Sequence, residues 1–305
     1  AGATGSAARP MSVLRNTLIV ASTSLAGLFI RIASLVVLAR TLRPEAFGIS
    51  AMAMAIIAIV SILVQLDLRD SLIQRARISR RHVRLALMGL CLSAAFWVWL
   101  IVMLSPLVER WTGVGGLSPV LSVCAVILAI DALTVIPEAL LIRAHQAAIV
   151  GQAALAGLAL GFTACSIVFS LLGFGVWSLA IGYIAMSALQ LAIMTIAAGA
   201  KVRRIAVDEM VKPGLGATIA DLYRNSVLGS SNRLLNNAND NVGNLVVGAL
   251  AGSVQLGFYS RAQVLAVVPI ETLLGMTIRS IAFPALARLS HDPDGRRAAL
   301  RQAIG

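Results

Sequence analysis

Eight apolar stretches, each about 20 residues or longer, partition the chain at roughly 17–39, 46–68, 83–105, 119–142, 147–171, 176–198, 222–250 and 257–285. A helix of that length crosses the ~30 Å hydrocarbon core of a bilayer. Of the 305 residues, 59% are hydrophobic and only 12% are charged, against about 45–50% and about 25% in soluble domains. The predicted fold class is an all-α polytopic membrane protein with about eight transmembrane helices.

The loops test this reading. The net charge of +12 is concentrated between the apolar stretches, as expected of orientation signals rather than of a nucleic-acid surface. With the N-terminus placed in the cytoplasm, 17 Lys and Arg fall inside and three (Arg40, Arg43 and Arg110) fall outside. One missed span would scramble that alternation. Trp97, Trp99, Trp111 and Trp177 all lie in or near the outer half, where interfacial aromatics belong. Cys91, Cys124 and Cys165 sit in apolar runs without metal-ligand spacing, and His82, His145 and His291 fall in short loops. They read as packing and loop residues, and no metal or cofactor is expected.

One span is too polar to be ordinary. On a helix at 100° per residue, Asp221–Leu250 places Asn225, Asn232, Arg233, Asn236, Asn239, Asp240 and Asn244 on one arc and Leu228, Leu235, Val242 and Val246 on the other. Polar groups at membrane depth are tolerated where they face protein or a water-filled cavity, so this helix is expected to line an aqueous path. Arg31, Arg224, Arg233, Arg261 and Arg279 also lie within spans, with Arg31 and Arg233 the deepest. An arginine near mid-bilayer costs about 2.5–3.5 kcal/mol on insertion scales. Such a cost calls for a polar interior, a carboxylate partner or an anionic substrate. The carboxylates within spans are Asp67, Asp131, Glu138, Asp240 and Glu271.

A repeat is visible as well. ARTLRPEAFGIS before span two and GALAGSVQLGFYS before span eight align Gly48 with Gly257, an offset of 209 residues, or six spans. An even number of spans implies parallel halves related by an axis along the membrane normal. The stretches ARTLRPEAFGISAMA (39–53), PEALLIR (137–143), GFGVWSLAIGY (173–183), GNLVVGALAGSVQLGFYSRA (243–262) and FPALARL (283–289) resemble those of bacterial polysaccharide flippases. These are the Wzx-type, O-antigen-exporting members of the multidrug/oligosaccharidyl-lipid/polysaccharide exporter superfamily. The resemblance implies two lobes of helices around a central cavity, and eight spans are fewer than the twelve to fourteen of that family. It implies a six-helix N-terminal lobe at 17–198 after a disordered segment at 1–16. A cytoplasmic linker at 199–221, the start of a second lobe at 222–289 and a cytoplasmic tail at 290–305 follow.

The implied activity is movement of polyprenyl-pyrophosphate-linked oligosaccharide across the bacterial inner membrane, with no enzymatic chemistry. The lipid tail can stay in hydrocarbon; the diphosphate and sugars cannot cross it unaided. Arg31, with Arg233 or Arg261, is expected to bind the diphosphate. Asn232, Asn236 and Asn239 are expected to contact sugar, with Ser22, Ser24 and Ser34 in the lining. Asp131 or Asp240 would carry a coupling proton or cation. Membrane lipids and a polysaccharide polymerase complex are the further partners implied, and nucleic acid is not. Two alternatives stand: a cation-coupled multidrug exporter of the same superfamily, which predicts an acidic cavity, and a non-transporting scaffold of a polysaccharide assembly complex. A glycosyltransferase would need an acidic loop with room for a nucleotide sugar, and the loops at 69–82 and 199–221 are short and basic.

Overall fold

The computed structural model describes residues 8–65, 68–74, 80–144, 146–202 and 226–277. Among them there is no strand, and the chain is a polytopic all-α membrane protein. Its elements are α1 (Ala8–Thr41), α2 (Pro44–Gln65), α3 (Leu68–Gln74), α4 (Arg80–Thr112), α5 (Leu117–Cys124), α6 (Val126–Arg143), α7 (Ala147–Ala156), a π-helical segment (Gly157–Ala164), α8 (Cys165–Leu171), α9 (Val176–Val202) and α10 (Ser226–Thr277). Helices α5 and α6 together make one membrane-length segment, and α7, the π-helical segment and α8 make another.

Local chemistry sets the joints. Pro44, the first residue of α2, has no N–H to leave unsatisfied there. At the α4–α5 joint the Glu109 carboxylate accepts the backbone N–H groups of Gly116 (2.9 Å) and Ser118 (2.6 Å), which satisfies donors that the start of α5 leaves unpaired. Ser105 links to Ser118 and Ser122 at 3.0 and 2.9 Å, tying α4 to α5 by hydroxyls that need partners once out of water. Helix α4 runs from 80 to 112, beyond the expected 83–105, and takes in His82. Hydropathy measures only the part inside hydrocarbon, whereas the helix continues through both interfaces.

Among the described residues, seven segments are long and apolar enough to cross a bilayer. The last of them, Asn241–Ile270, runs through Gly252, whose φ of 85° and ψ of 176° are not helical. Residues on either side of Gly252 meet: Gly243 lies against the Tyr259 side chain, and Gly248 against that of Leu256. Along one straight helix, 243 and 259 would be about 24 Å apart. Helix α10 is therefore a hairpin of two arms, 226–251 and 253–277, which restores the expected count of eight helices. The expected six-residue connection at 251–256 is instead a one-residue turn. Only glycine takes that φ freely, and hydropathy cannot mark a turn that short.

The main core joins α2, α4, α5, α6 and α9, with Met52, Leu90, Leu121 and Leu128 fully buried. Leu256 of α10 is equally buried within it. Where α10 meets α2, the helices touch at backbone distance. A Cβ at Gly48 would overlap the Ser253 carbonyl, and one at Gly257 would overlap the Pro44 carbonyl. The two contacts are related by the same 209-residue offset, so the repeat pairs with itself there. Phe29, Trp99, Trp111 and Leu250 are exposed, as lipid-facing positions are, because lipid supplies no hydrophobic drive to bury them. Trp97 and Trp177 pack against the core instead.

Candidate functional site

A cavity of about 190 Å³ lies between α1, α2, the π-helical segment, α9 and the second arm of α10. Two guanidiniums reach it, Arg31 from α1 and Arg261 from α10, together with Ser34, Ser50, Ser260 and Tyr183. No carboxylate is among its described lining residues. These groups come from 230 residues of chain between Arg31 and Arg261, brought together because the α10 hairpin packs on α2.

Arg261 is held from two sides. Its guanidinium carbon sits 4.1 Å from the Phe47 ring centroid, a cation–π contact that gains strength out of water. Its Nη2 donates to the Leu42 carbonyl at 3.2 Å, fastening α10 to the α1–α2 joint. Its Nε is buried and makes no protein hydrogen bond, leaving a directional donor at the cavity. The hydroxyls of Ser34 and Ser260 each bond a carbonyl three residues back, Arg31 O at 2.9 Å and Gly257 O at 3.1 Å. That bond lets a serine sit in a membrane helix without an orphaned donor.

The far wall depends on small residues. Gly157 and Gly161 of the π-helical segment lie against the Met186 backbone of α9, and Gly182 lies against Ser166. Backbones approach this closely only where side chains are absent. The approach carries Leu158 and Phe162 to the cavity, where the Phe162 ring stacks beside Tyr183 at 4.6 Å.

Of the expected site residues, Arg31 and Arg261 line one cavity with Ser34. The backbone at Asn232, Arg233, Asn236 and Asp240 belongs to the first arm of α10; their side chains lie outside the described residues. Asn239 is exposed and does not line this cavity. Ser22 and Ser24 are likewise away from it. Beside Asn239, Asn241 Nδ2 donates to both the carbonyl and the side-chain oxygen of Asn237, at 2.9 and 2.7 Å. Asp131, on α6, is hydrogen-bonded to Ser187 of α9 and does not line the cavity. Glu138 pairs with Arg69 at 2.8 Å, and Arg143 Nη1 donates to the carbonyls of Leu72 and Ile73 at 3.2 and 3.1 Å. Together they clamp α3 to α6, a structural use for two polar residues of the 137–143 stretch. Among the described residues no group of His, Cys, Asp and Glu could hold a metal ion.

Phe47, Ser50, Tyr183, Ser260 and the π-helical wall were not anticipated. The Gly157–Gly161 spacing, one small residue every four, was the available signal for the close helix contact. Nothing local distinguishes Tyr183 from a packing tyrosine.

The profile of a family described as Polysaccharide biosynthesis protein matches residues 37–305. No curated protein and no solved structure matches the chain.

Proposed function

The chain belongs to the polysaccharide biosynthesis protein family, and from that premise we propose that this multi-pass membrane protein is a flippase for polyprenyl-pyrophosphate-linked oligosaccharide. Family membership supports a role in polysaccharide export; the cargo and the step are our reading. The observation that carries it is the convergence of Arg31 and Arg261, with three serines and a tyrosine and no carboxylate among the described lining residues, on one cavity at membrane depth. Guanidiniums offer paired N–H donors that match phosphate oxygens, and hydroxyls can exchange hydrogen bonds with sugar. A cationic drug would meet like charge there, which argues against the multidrug alternative.

In this reading Arg31 and Arg261 hold the diphosphate. Asn232, Asn236 and Asn239, with Arg233, extend a polar path for sugar along the first arm of α10. Asp131 or Asp240 carries the coupling proton or cation. The protein resides in the bacterial inner membrane with its N-terminus in the cytoplasm, as the loop charges favour. The self-paired contact of Gly48 and Gly257 supports a second lobe beginning at 222, related to the lobe at 17–198 by a pseudo-two-fold axis.

The test is flipping of a fluorescent short-chain lipid-linked oligosaccharide by the full-length protein in proteoliposomes. Arg31→Ala and Arg261→Ala should each lower the rate and weaken binding of the diphosphate lipid. Unchanged binding and flipping in both would remove the diphosphate assignment. Co-purification of a polymerase without any flipping by the wild type would favour the scaffold alternative.

A further inference from the structure

On the other side of α9 lies a second hollow, an open groove of about 870 Å³ between α4, α6 and α9. Its character is opposite to the cavity's. Val83 and Leu87 of α4, Leu133 and Leu140 of α6 and Leu191 of α9 line it, and Thr195 brings the only hydroxyl among its described lining residues. From helical phase at 100° per residue, the α9 residues lining the groove and those lining the cavity face roughly 150° apart. The helix therefore stands between the two spaces.

The groove's length and its charged end narrow what it fits. Its lining runs from Ile130 to Leu140 on α6 and from Ala188 to Gly199 on α9, about 15 Å along each helix. That is half of the ~30 Å hydrocarbon core, one leaflet rather than two. A transmembrane helix of a partner would cover a face of full bilayer length; an acyl chain needs one leaflet. At the end nearer α3, the exposed Arg84 is an i,i+3 neighbour of Leu87 on the α4 surface. Arg80 and Arg81 precede it in the same helix.

We propose that this groove binds one acyl chain of an anionic membrane phospholipid from the leaflet on the α3 side, with the lipid phosphate held at Arg84. In the orientation favoured above, that is the cytoplasmic leaflet. A basic residue at headgroup level attracts anionic lipid, and an apolar channel beneath it takes the chain of the same molecule. The polyprenyl tail of the cargo is the other lipid chain available, but its diphosphate is assigned to the opposite face of α9.

Native mass spectrometry of the full-length protein in detergent tests this, with added phosphatidylglycerol, phosphatidylcholine of the same chains and undecaprenyl phosphate. Wild type should retain phosphatidylglycerol about fivefold better than phosphatidylcholine. Arg84→Gln should erase that preference, and Ala192→Trp, which fills the groove, should remove retention of both. Equal retention of the two phospholipids by wild type overturns the proposal, as does unchanged phosphatidylglycerol binding in both variants. Displacement of phosphatidylglycerol by undecaprenyl phosphate, lost in Ala192→Trp, also overturns it and assigns the groove to the cargo's tail. Helix content by circular dichroism identifies a variant that fails to fold; Arg84→Gln, at an exposed position, then decides alone. Because the readout is lipid retention, its failure is independent of the flippase reading.

Discussion

Helix α9 divides two hollows that a hydropathy plot cannot tell apart. Toward α1 and α10 it presents Tyr183 to a cavity of about 190 Å³ reached by two guanidiniums and three serines. Toward α4 and α6 it presents Leu191 and Ala192 to a groove of about 870 Å³ with a single hydroxyl among its described lining residues. The larger space is the less polar one. In a bilayer an apolar hollow costs little, because lipid chains fill it, whereas buried arginines must be given partners. Polarity rather than size thus identifies the space suited to a hydrophilic cargo.

The sharpest way to break this contrast is to remove the charge from one side only. Hydrogen bonds to charged groups contribute about 1.5–3 kcal/mol each. The double substitution Arg31→Ala/Arg261→Ala should therefore cut oligosaccharide flipping by about a hundredfold or more in proteoliposomes. A rate within threefold of wild type would mean that the cavity does not handle the cargo's charge.

Packing around α9 should be equally one-sided. A Cβ at Gly161 would press on the Met186 backbone, whereas one at Gly199, on the groove side, meets nothing within 4 Å. Gly161→Ala should destabilise by about 1–3 kcal/mol through overpacking. Gly199→Ala should be neutral, or stabilising by about 0.5–1 kcal/mol through helix propensity. Thermal unfolding in detergent separates the two, and equal midpoints would remove the distinction between a tight and an open face.

A smaller effect is expected from the ring beneath Arg261. Phe47→Leu keeps the apolar bulk but loses a cation–π contact of about 0.5–2 kcal/mol. Affinity for a diphosphate lipid, measured by microscale thermophoresis, should fall about two- to thirtyfold. No change would show that the Leu42 carbonyl alone positions the guanidinium. Smallest of all is Thr195→Val in the groove, which should leave flipping within about twofold of wild type, since the cargo's polar groups are assigned to the opposite face of α9 and an isolated neutral hydrogen bond can contribute as little as about 0.5 kcal/mol. A large loss there would place cargo on the wrong face of α9.

The 39–53 and 243–262 stretches singled out by sequence turned out to matter for packing as much as for chemistry. Gly48 and Gly257 form the self-paired contact, while Phe47 and Arg261, each beside one of those glycines in its helix, meet at the cavity. Glu138 and Arg143 in the 137–143 stretch clamp α3. That Arg31 lines a polar cavity was legible in the sequence, because an arginine so far from a span end has few other places to go. Arg261, nearer an end, read equally well as a snorkelling residue until Phe47 and Leu42 were found around it.

Membrane class, the placement of the long helices and the pattern of loop charge followed from the amino-acid order alone. Each depends on how a local segment meets a bilayer, a field that varies in one dimension and acts on about 20 residues at a time. The one-residue turn at Gly252, the π-helical wall and the meeting of Arg31 with Arg261 were decided only by tertiary structure. They depend on backbone approach between segments far apart in the chain, where the absence of a single Cβ determines which faces meet.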